Sequence, residues 1–284
     1  MNDQILLMVR MLKTFPVKVL KDYFDISGKH QNDTINEIIE TYSFEQIFEF
    51  VYTNFGYLRQ HIHVFDLNKE ITVKWTPCPN EFKKEEVFNN YKVYNLIFNA
   101  SYKVINISTG EIDELIFHLP VQIWLNKLKF IVRINTLERN PNDYYEEKVI
   151  VTNKDLNEDL IINKIKNSLP QGITFVTCDL NKGIKALWEE DFIDCHSIRY
   201  RKPNSVSTEV MDEDDTLKNK YPELYKQIML SPIDNNLFKI LGENGDKIIS
   251  HFKIEPTTGK LSFVKFPANT DSIADLLEII LSKN

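Results

Sequence analysis

Near Leu58 the apolar residues of this 284-residue chain change period, and that change sets its class. Before it they recur at helical spacing; after it they alternate, as in strands whose two faces meet different surroundings. A chain with this order is expected to be α+β. The expected parts are a helical N-terminal module (1–60), a β-rich mixed sheet domain (61–205), and a C-terminal β-meander with a covering helix (206–284).

The helical part punctuates itself. Residues 4–13 are almost continuously apolar, and Pro16 suits the first turn of a second helix because that position needs no amide donor. In that helix Val17, Leu20 and Phe24 share a stripe while Lys18 and Lys21 point away. Gly28 breaks the chain, Asp33 or Thr34 caps a third helix, and Ile35, Ile38 and Ile39 form its buried side. Ser43 caps a fourth, with Phe44, Ile47, Phe48, Val51 and Tyr52 at helical spacing and Gly56 closing it.

Strands follow. In RQHIHVFDL, His61, His63 and Phe65 share one face, and Ile71, Val73 and Trp75 alternate in a second strand that Pro77 and Pro79 end. Residues 91–107 and 111–119 flank Ser108-Thr109-Gly110, the signal of a hairpin. In 127–136, Leu128, Phe130, Val132 and Ile134 are expected inward, so Lys127, Lys129 and Arg133 line the opposite face. Residues 148–152, a helix near 155–168 and 173–180 read as β-α-β, with a parallel pair. A further strand, 195–202, sets Arg199 and Arg201 opposite Ile198 and Tyr200. The acidic run 209–215 reads as a solvated loop, and it or its approach marks the last domain boundary. Beyond it, 237–241, 246–254 and 260–266 form a meander. The helix after Pro267, capped by Thr270 or Asp271, buries Ile273, Leu276, Leu277 and Ile280.

Two resemblances enter through the helical part. Val17 to Glu40, with Ser27, Gly28 and Lys29 at the turn and Ile35, Ile38 and Ile39 in the second helix, resembles the helix–extension–helix of SAP modules. That resemblance implies DNA binding, mostly through phosphates; Glu37 and Glu40 stand in the second helix, which lacks the family's Arg. The wider layout is similar to the centromere protein N family: Leu12-Lys13-Thr14-Phe15-Pro16, then Val51 to Phe55 leading to Val64-Phe65. It implies binding to nucleosomal DNA and a partner subunit.

A net charge of -7 argues against a generic nucleic-acid coat, since that affinity comes from Lys and Arg displacing counterions, but it leaves room for a local basic face. Three scattered cysteines give no disulfide framework or zinc ladder and suit an intracellular setting, cytoplasmic or nuclear. No membrane span or secretory signal is read. His61 and His63 lack the further ligands a zinc site needs, Cys195 and His196 point to opposite faces, and 209–215 lacks the order of a calcium loop. With no phosphate-binding glycine loop or nucleophile elbow, no catalytic residue, metal or cofactor is assigned. The expected function is a non-enzymatic binding protein that engages nucleic acid or a chromatin-bound partner. Its expected contacts are Lys18, Lys21, Lys29, Lys127, Lys129, Arg133, Arg199 and Arg201, the strand cations together forming a phosphate-binding strip. The alternative is a protein–protein adaptor anchored by its aromatic side chains. An enzyme would need a concave site where several carboxylates or histidines converge.

Overall fold

The computed structural model describes residues 3–136, 148–151, 155–202, 205–210, 216–242, 248–264 and 268–284. Four helices lead: α1 (Asp3–Lys13), α2 (Val17–Phe24), α3 (Gln31–Thr41) and α4 (Phe44–Thr53). The start of α4 is fixed by a capping box, in which Ser43 accepts from the Gln46 amide and the Gln46 side chain accepts from the Ser43 amide. Met11, Leu12, Phe15, Leu20, Ile35, Ile38, Phe50 and Val51 close over one another as the core of this bundle.

The remainder is built on one sheet of twelve strands among the described residues. They are β1 (Gln60–Leu67), β2 (Phe82–Phe88), β3 (Tyr91–Asn106), β4 (Ile112–Asn126), β5 (Lys129–Asn135), β6 (Lys148–Ile150), β7 (Phe175–Thr177), β8 (Ile193–Lys202), β9 (Ser205–Val210), β10 (Ile233–Ile240), β11 (His251–Glu255) and β12 (Lys260–Phe263). The path runs β2-β3-β4-β5-β1-β12-β11-β10-β8-β9, with β6 added to β3 and β7 to β1. Interspersed helices are α5 (Asp155–Asn167), α6 (Asn181–Glu189), α7 (Leu217–Lys220), α8 (Pro222–Leu230) and α9 (Thr270–Lys283). The protein is α+β, and no helix of the described residues is long and apolar enough to cross a membrane.

The expected hairpin is β3–β4, turned at Gly110 with φ +73°. The C-terminal meander is β10–β11–β12, with α9 burying Ile273, Leu276, Leu277 and Ile280; its cap is Asn269, whose side chain accepts from the Ser272 amide at 2.7 Å. The turn at 243–247 and most of the acidic run, 211–215, lie outside the described residues.

Two expectations are corrected. Every described strand pair is antiparallel: β6 joins β3 and β7 joins β1, so the sheet is not mixed and no parallel pair spans α5. Residues 71–75 form no strand; Trp75 instead packs across Tyr94 and Phe130 and donates its Nε1–H to the Ser168 carbonyl at 2.7 Å. The charged stretch 82–88 is the edge strand β2, where Lys83, Lys84, Glu85 and Glu86 blunt an open edge. The boundary drawn at 205/206 meets the start of β9, and β12 pairs directly with β1, so the sheet is continuous across all the C-terminal strands.

The two faces of the sheet are covered unequally. On one, α6 and α9 bury Ile62, Val64, Trp124, Ile198 and Phe238, and the N-terminal bundle packs beside them through Ile97. On the other, Ile161 and Ile165 of α5, with Trp75, cover only the half built from β1, β3, β4 and β5. The second face of β12, β11, β10 and β8 contributes nothing to that apolar cluster.

Candidate functional site

The strand cations do not gather as the sequence suggests. Arg133 is wholly buried, because β5 is covered on both faces: Ile131 packs on one side and Val132 on the other, while Leu128, expected inward, is 48% exposed. Lys127 sits in the β4–β5 turn with φ +48°. Lys129 is ion-paired with Asp66; burial pulls its amine down, the carboxylate and the Cys178 sulfur push it up, and the balance is upward. Arg199 is exposed on β8, and the Arg201 side chain lies outside the described residues. Four strands separate β5 from β8, roughly 24 Å at one strand spacing per step. The expected strip of Lys127, Lys129, Arg133, Arg199 and Arg201 therefore does not form. On the helical module, Lys18 and Lys29 are exposed and Lys21 is half-buried.

A different group of polar residues converges instead. Strand alternation sets His61 and His63 on the face of β1 away from Ile62 and Val64, and antiparallel register places Lys260 opposite His63. Helix α5 crosses this end of the sheet with Glu158, Ile161, Ile162 and Ile165 along one side, so its apolar stripe delivers a carboxylate to the same point. Glu158 Oε1 is bonded to His61 Nδ1; Oε2 lies 3.1 Å from His63 Nε2 and 3.0 Å from Lys260 Nζ. Burial raises the Glu158 carboxyl, but the two histidine bonds and the charges of His61 and Lys260 outweigh it and hold the acid well below the ordinary carboxylate range. An ionised Glu158 only accepts, so the facing nitrogens carry the protons. His61 Nε2 has no hydrogen-bond partner among the described residues.

This arrangement has a consequence for stability. A depressed carboxylate contributes stability that is present above its unfolded pKa and lost as pH falls through the folded one. Glu158→Gln is expected to cost about 2 kcal/mol at neutral pH and to flatten the acid limb of stability below about pH 4.5. Urea unfolding of both proteins at pH 7 and at pH 3.5 checks this, since the two stability curves should draw together in acid.

Two hollows adjoin the cluster. One, of about 730 Å³, lies between α5 and the strand ends, with His63, Glu158, Lys166, Phe175, Thr177 and Lys260 in its wall and the carboxylates Asp159 and Glu255 at it too. Lys166 Nζ stands 5.8 Å above the Phe175 ring. The other, of about 380 Å³, lies over the half of that face that no described helix covers and is lined by His61, Ser197, Asn235, His251, Lys253 and Ser262 among others. His61 faces Ser262 across β1–β12, and Ser262 faces Lys253 across β12–β11. His251 follows on the same face, 6.4 Å from His196 between ring centroids. Four of the six histidines thus belong to one side of five adjacent strands. Cys195, the neighbour of His196, is buried on the opposite side, where burial pushes its thiol well up. No group of three or more His, Cys, Asp or Glu that could hold a metal ion occurs among the described residues.

Sequence reading had His61 and His63 on one face but missed Glu158, Lys253, Lys260 and His251. The available signal was the place of Glu158 on the apolar stripe of α5, where a charged residue is out of pattern. Comparison with protein-family models, with curated proteins and with solved structures returned no match.

Proposed function

We propose that the protein binds single-stranded nucleic acid along the face of β12, β11, β10 and β8 that no described helix covers. The observation that carries this reading is the composition of that face: Arg199 and Lys253 stand exposed on it, Lys260 at its rim, and His61, His196 and His251 between them, while the other face is sealed by helices. From β8 to β12 is roughly 14 Å at one strand spacing per step, the reach of a few nucleotides. An open sheet with cations spaced across its strands suits a flexible backbone better than a rigid duplex, and the imidazoles of His61 and His196 add hydrogen bonds to phosphate and base edges. The acidic total of -7 confines attraction to this patch, so binding is expected to be modest and steeply salt-dependent.

Fluorescence anisotropy of a labelled single-stranded oligonucleotide, titrated with salt, tests the reading. Three phosphate contacts predict log K falling against log salt with a slope of about -2. The double variant Arg199→Glu/Lys253→Glu should abolish binding at low salt, and Lys127→Glu, distant from the face, should leave it intact. Absence of binding by the wild-type chain at low salt, or binding indifferent to the double variant, would sink it.

A further inference from the structure

We propose that Cys178 and Lys129 join through a covalent sulfur–nitrogen bond when the protein meets hydrogen peroxide. The proposal goes beyond the nucleic-acid reading and does not depend on it, because Cys178 is buried on the opposite side of the sheet, in the core under α6 and α9. Strand β1 holds one reactant along each edge. Lys129 is in register with Asp66 across β5–β1, and on the other edge the Cys178 amide donates to the Val64 carbonyl at 3.0 Å. Alternation sets Asp66 on the Val64 face of β1 and Lys129 on the Ile131 face of β5, the side where Cys178 packs. The lysine stem therefore crosses β1 to reach the sulfur. Its Nζ stands 2.5 Å from Asp66 Oδ1 and 3.4 Å from Cys178 Sγ, and Asn284 Nδ2 approaches the same sulfur at 3.7 Å. The ion pair with Asp66 keeps the amine in place. Cys178 carries no disulfide and is only 1% exposed, so a small oxidant can enter where a bulky thiol cannot.

At rest the contact is an N–H···S hydrogen bond, and peroxide converts it in two steps. The first oxidises the sulfur by two electrons: the O–O bond breaks, one oxygen joins the sulfur as a sulfenic acid, and the other leaves as water. Lys129 Nζ, after losing a proton to solvent, then attacks that sulfur. The S–N bond forms as the S–O bond breaks, and the departing hydroxyl leaves as water with an amine proton. Over both steps one thiol, one ammonium and one peroxide give a sulfenamide, two waters and one proton. Condensation with a nearby nitrogen is an established fate of a sulfenic acid, and here the nitrogen is already at the sulfur. The link ties β5 to the segment after β7 across β1, and a reducing thiol reopens it.

The test treats the full chain with hydrogen peroxide at pH 9 and reads intact mass and proteolytic peptides. Alkali is chosen because burial, and after it the Asp66 carboxylate, pushes the Cys178 thiol up to about 11, so each pH unit below that adds about tenfold more thiolate. The expected product is about 2 Da lighter than the parent, for the two hydrogens lost, with the peptides that carry Lys129 and Cys178 joined. Dithiothreitol should restore the parent mass and separate the peptides. Lys129→Arg keeps a cation beside Asp66 and removes the amine; it and Cys178→Ala should each give no joined peptides. Joining that survives either change assigns the link elsewhere and overturns the proposal. A wild-type chain in which Cys178 stops at sulfenic, sulfinic or sulfonic acid beside an unmodified Lys129 overturns it as well, and so does a Cys178 thiol that stays unreacted.

Discussion

Replacing Arg133 by alanine is expected to lower the unfolding free energy by about 4 kcal/mol, through a cavity and through acceptors left without donors. The residue is wholly buried at the sheet centre. Its Nε donates to Gln60 Oε1 at 2.8 Å and its Nη1 to Gln122 Oε1 at 3.0 Å. The guanidinium lies 4.4 Å from the Trp124 ring and 5.0 Å from that of Phe55, and Nη2 has no hydrogen-bond partner. No carboxylate neutralises it among the described residues; burial alone lowers its pKa to about 9, which keeps it charged at neutral pH. Two amide oxygens and two aromatic faces thus stand in for a counterion. Arg133→Met separates the contributions, since it fills much of the space and removes the desolvated charge. Its expected loss is smaller, about 2 kcal/mol, from the two unpaired glutamine oxygens. Denaturant midpoints for the three proteins decide the matter. An alanine variant within about 1 kcal/mol of the parent would refute this account of the site.

The second large effect lies where the helical module meets the C-terminal helix. A Cβ on Gly56 would stand 2.3 Å from the Thr270 nitrogen, 2.4 Å from the Asn269 carbonyl carbon and 2.5 Å from the Ala268 oxygen, all backbone. The Gly56 amide also donates to Thr270 Oγ1 at 3.1 Å. Gly56→Ala must push the start of α9 away from the turn after α4, and a loss of about 3 kcal/mol is expected. Gly110→Ala is the control: with φ +73° and nothing within 4 Å, it meets only backbone strain of about 1 kcal/mol. Thermal melts of the two variants should rank clearly. Equal melting temperatures would mean that the contact under α9 yields freely.

Local signals in the sequence were reliable where the deciding interaction is itself local. Ser43 and Gln46 close their box within one turn, Gly110 turns its own hairpin, and the α9 stripe needs only one apolar surface to lie on. Arg133 failed that test because its environment comes from two layers remote in sequence. Alternation read it as outward, yet Phe130, Ile131 and Val132 are consecutive apolar residues, the mark of a strand covered on both sides. Alternation at 71–75 misled for the opposite reason, since Trp75 serves packing without strand pairing. The polar cluster was half legible: His61 and His63 share a face by strand geometry alone. Glu158, Lys260 and His251 reach that face from three other elements, and only the assembled sheet order brings them there. The cations at Lys129 and Arg199 were real features of the strands, but four intervening strands keep them apart.

Strand β1 divides its second edge between two late segments, β12 beside residues 60–63 and β7 beside residues 65–67. Loop-closure entropy must therefore be met before the middle of the sheet is rewarded, and refolding is expected on the slow, millisecond-to-second side of the range for single domains. During translation β1 emerges long before either neighbour, with a row of bare amides and carbonyls awaiting them. That interval is when a chaperone would have the most to shield, and when self-association would compete hardest with the native pairing.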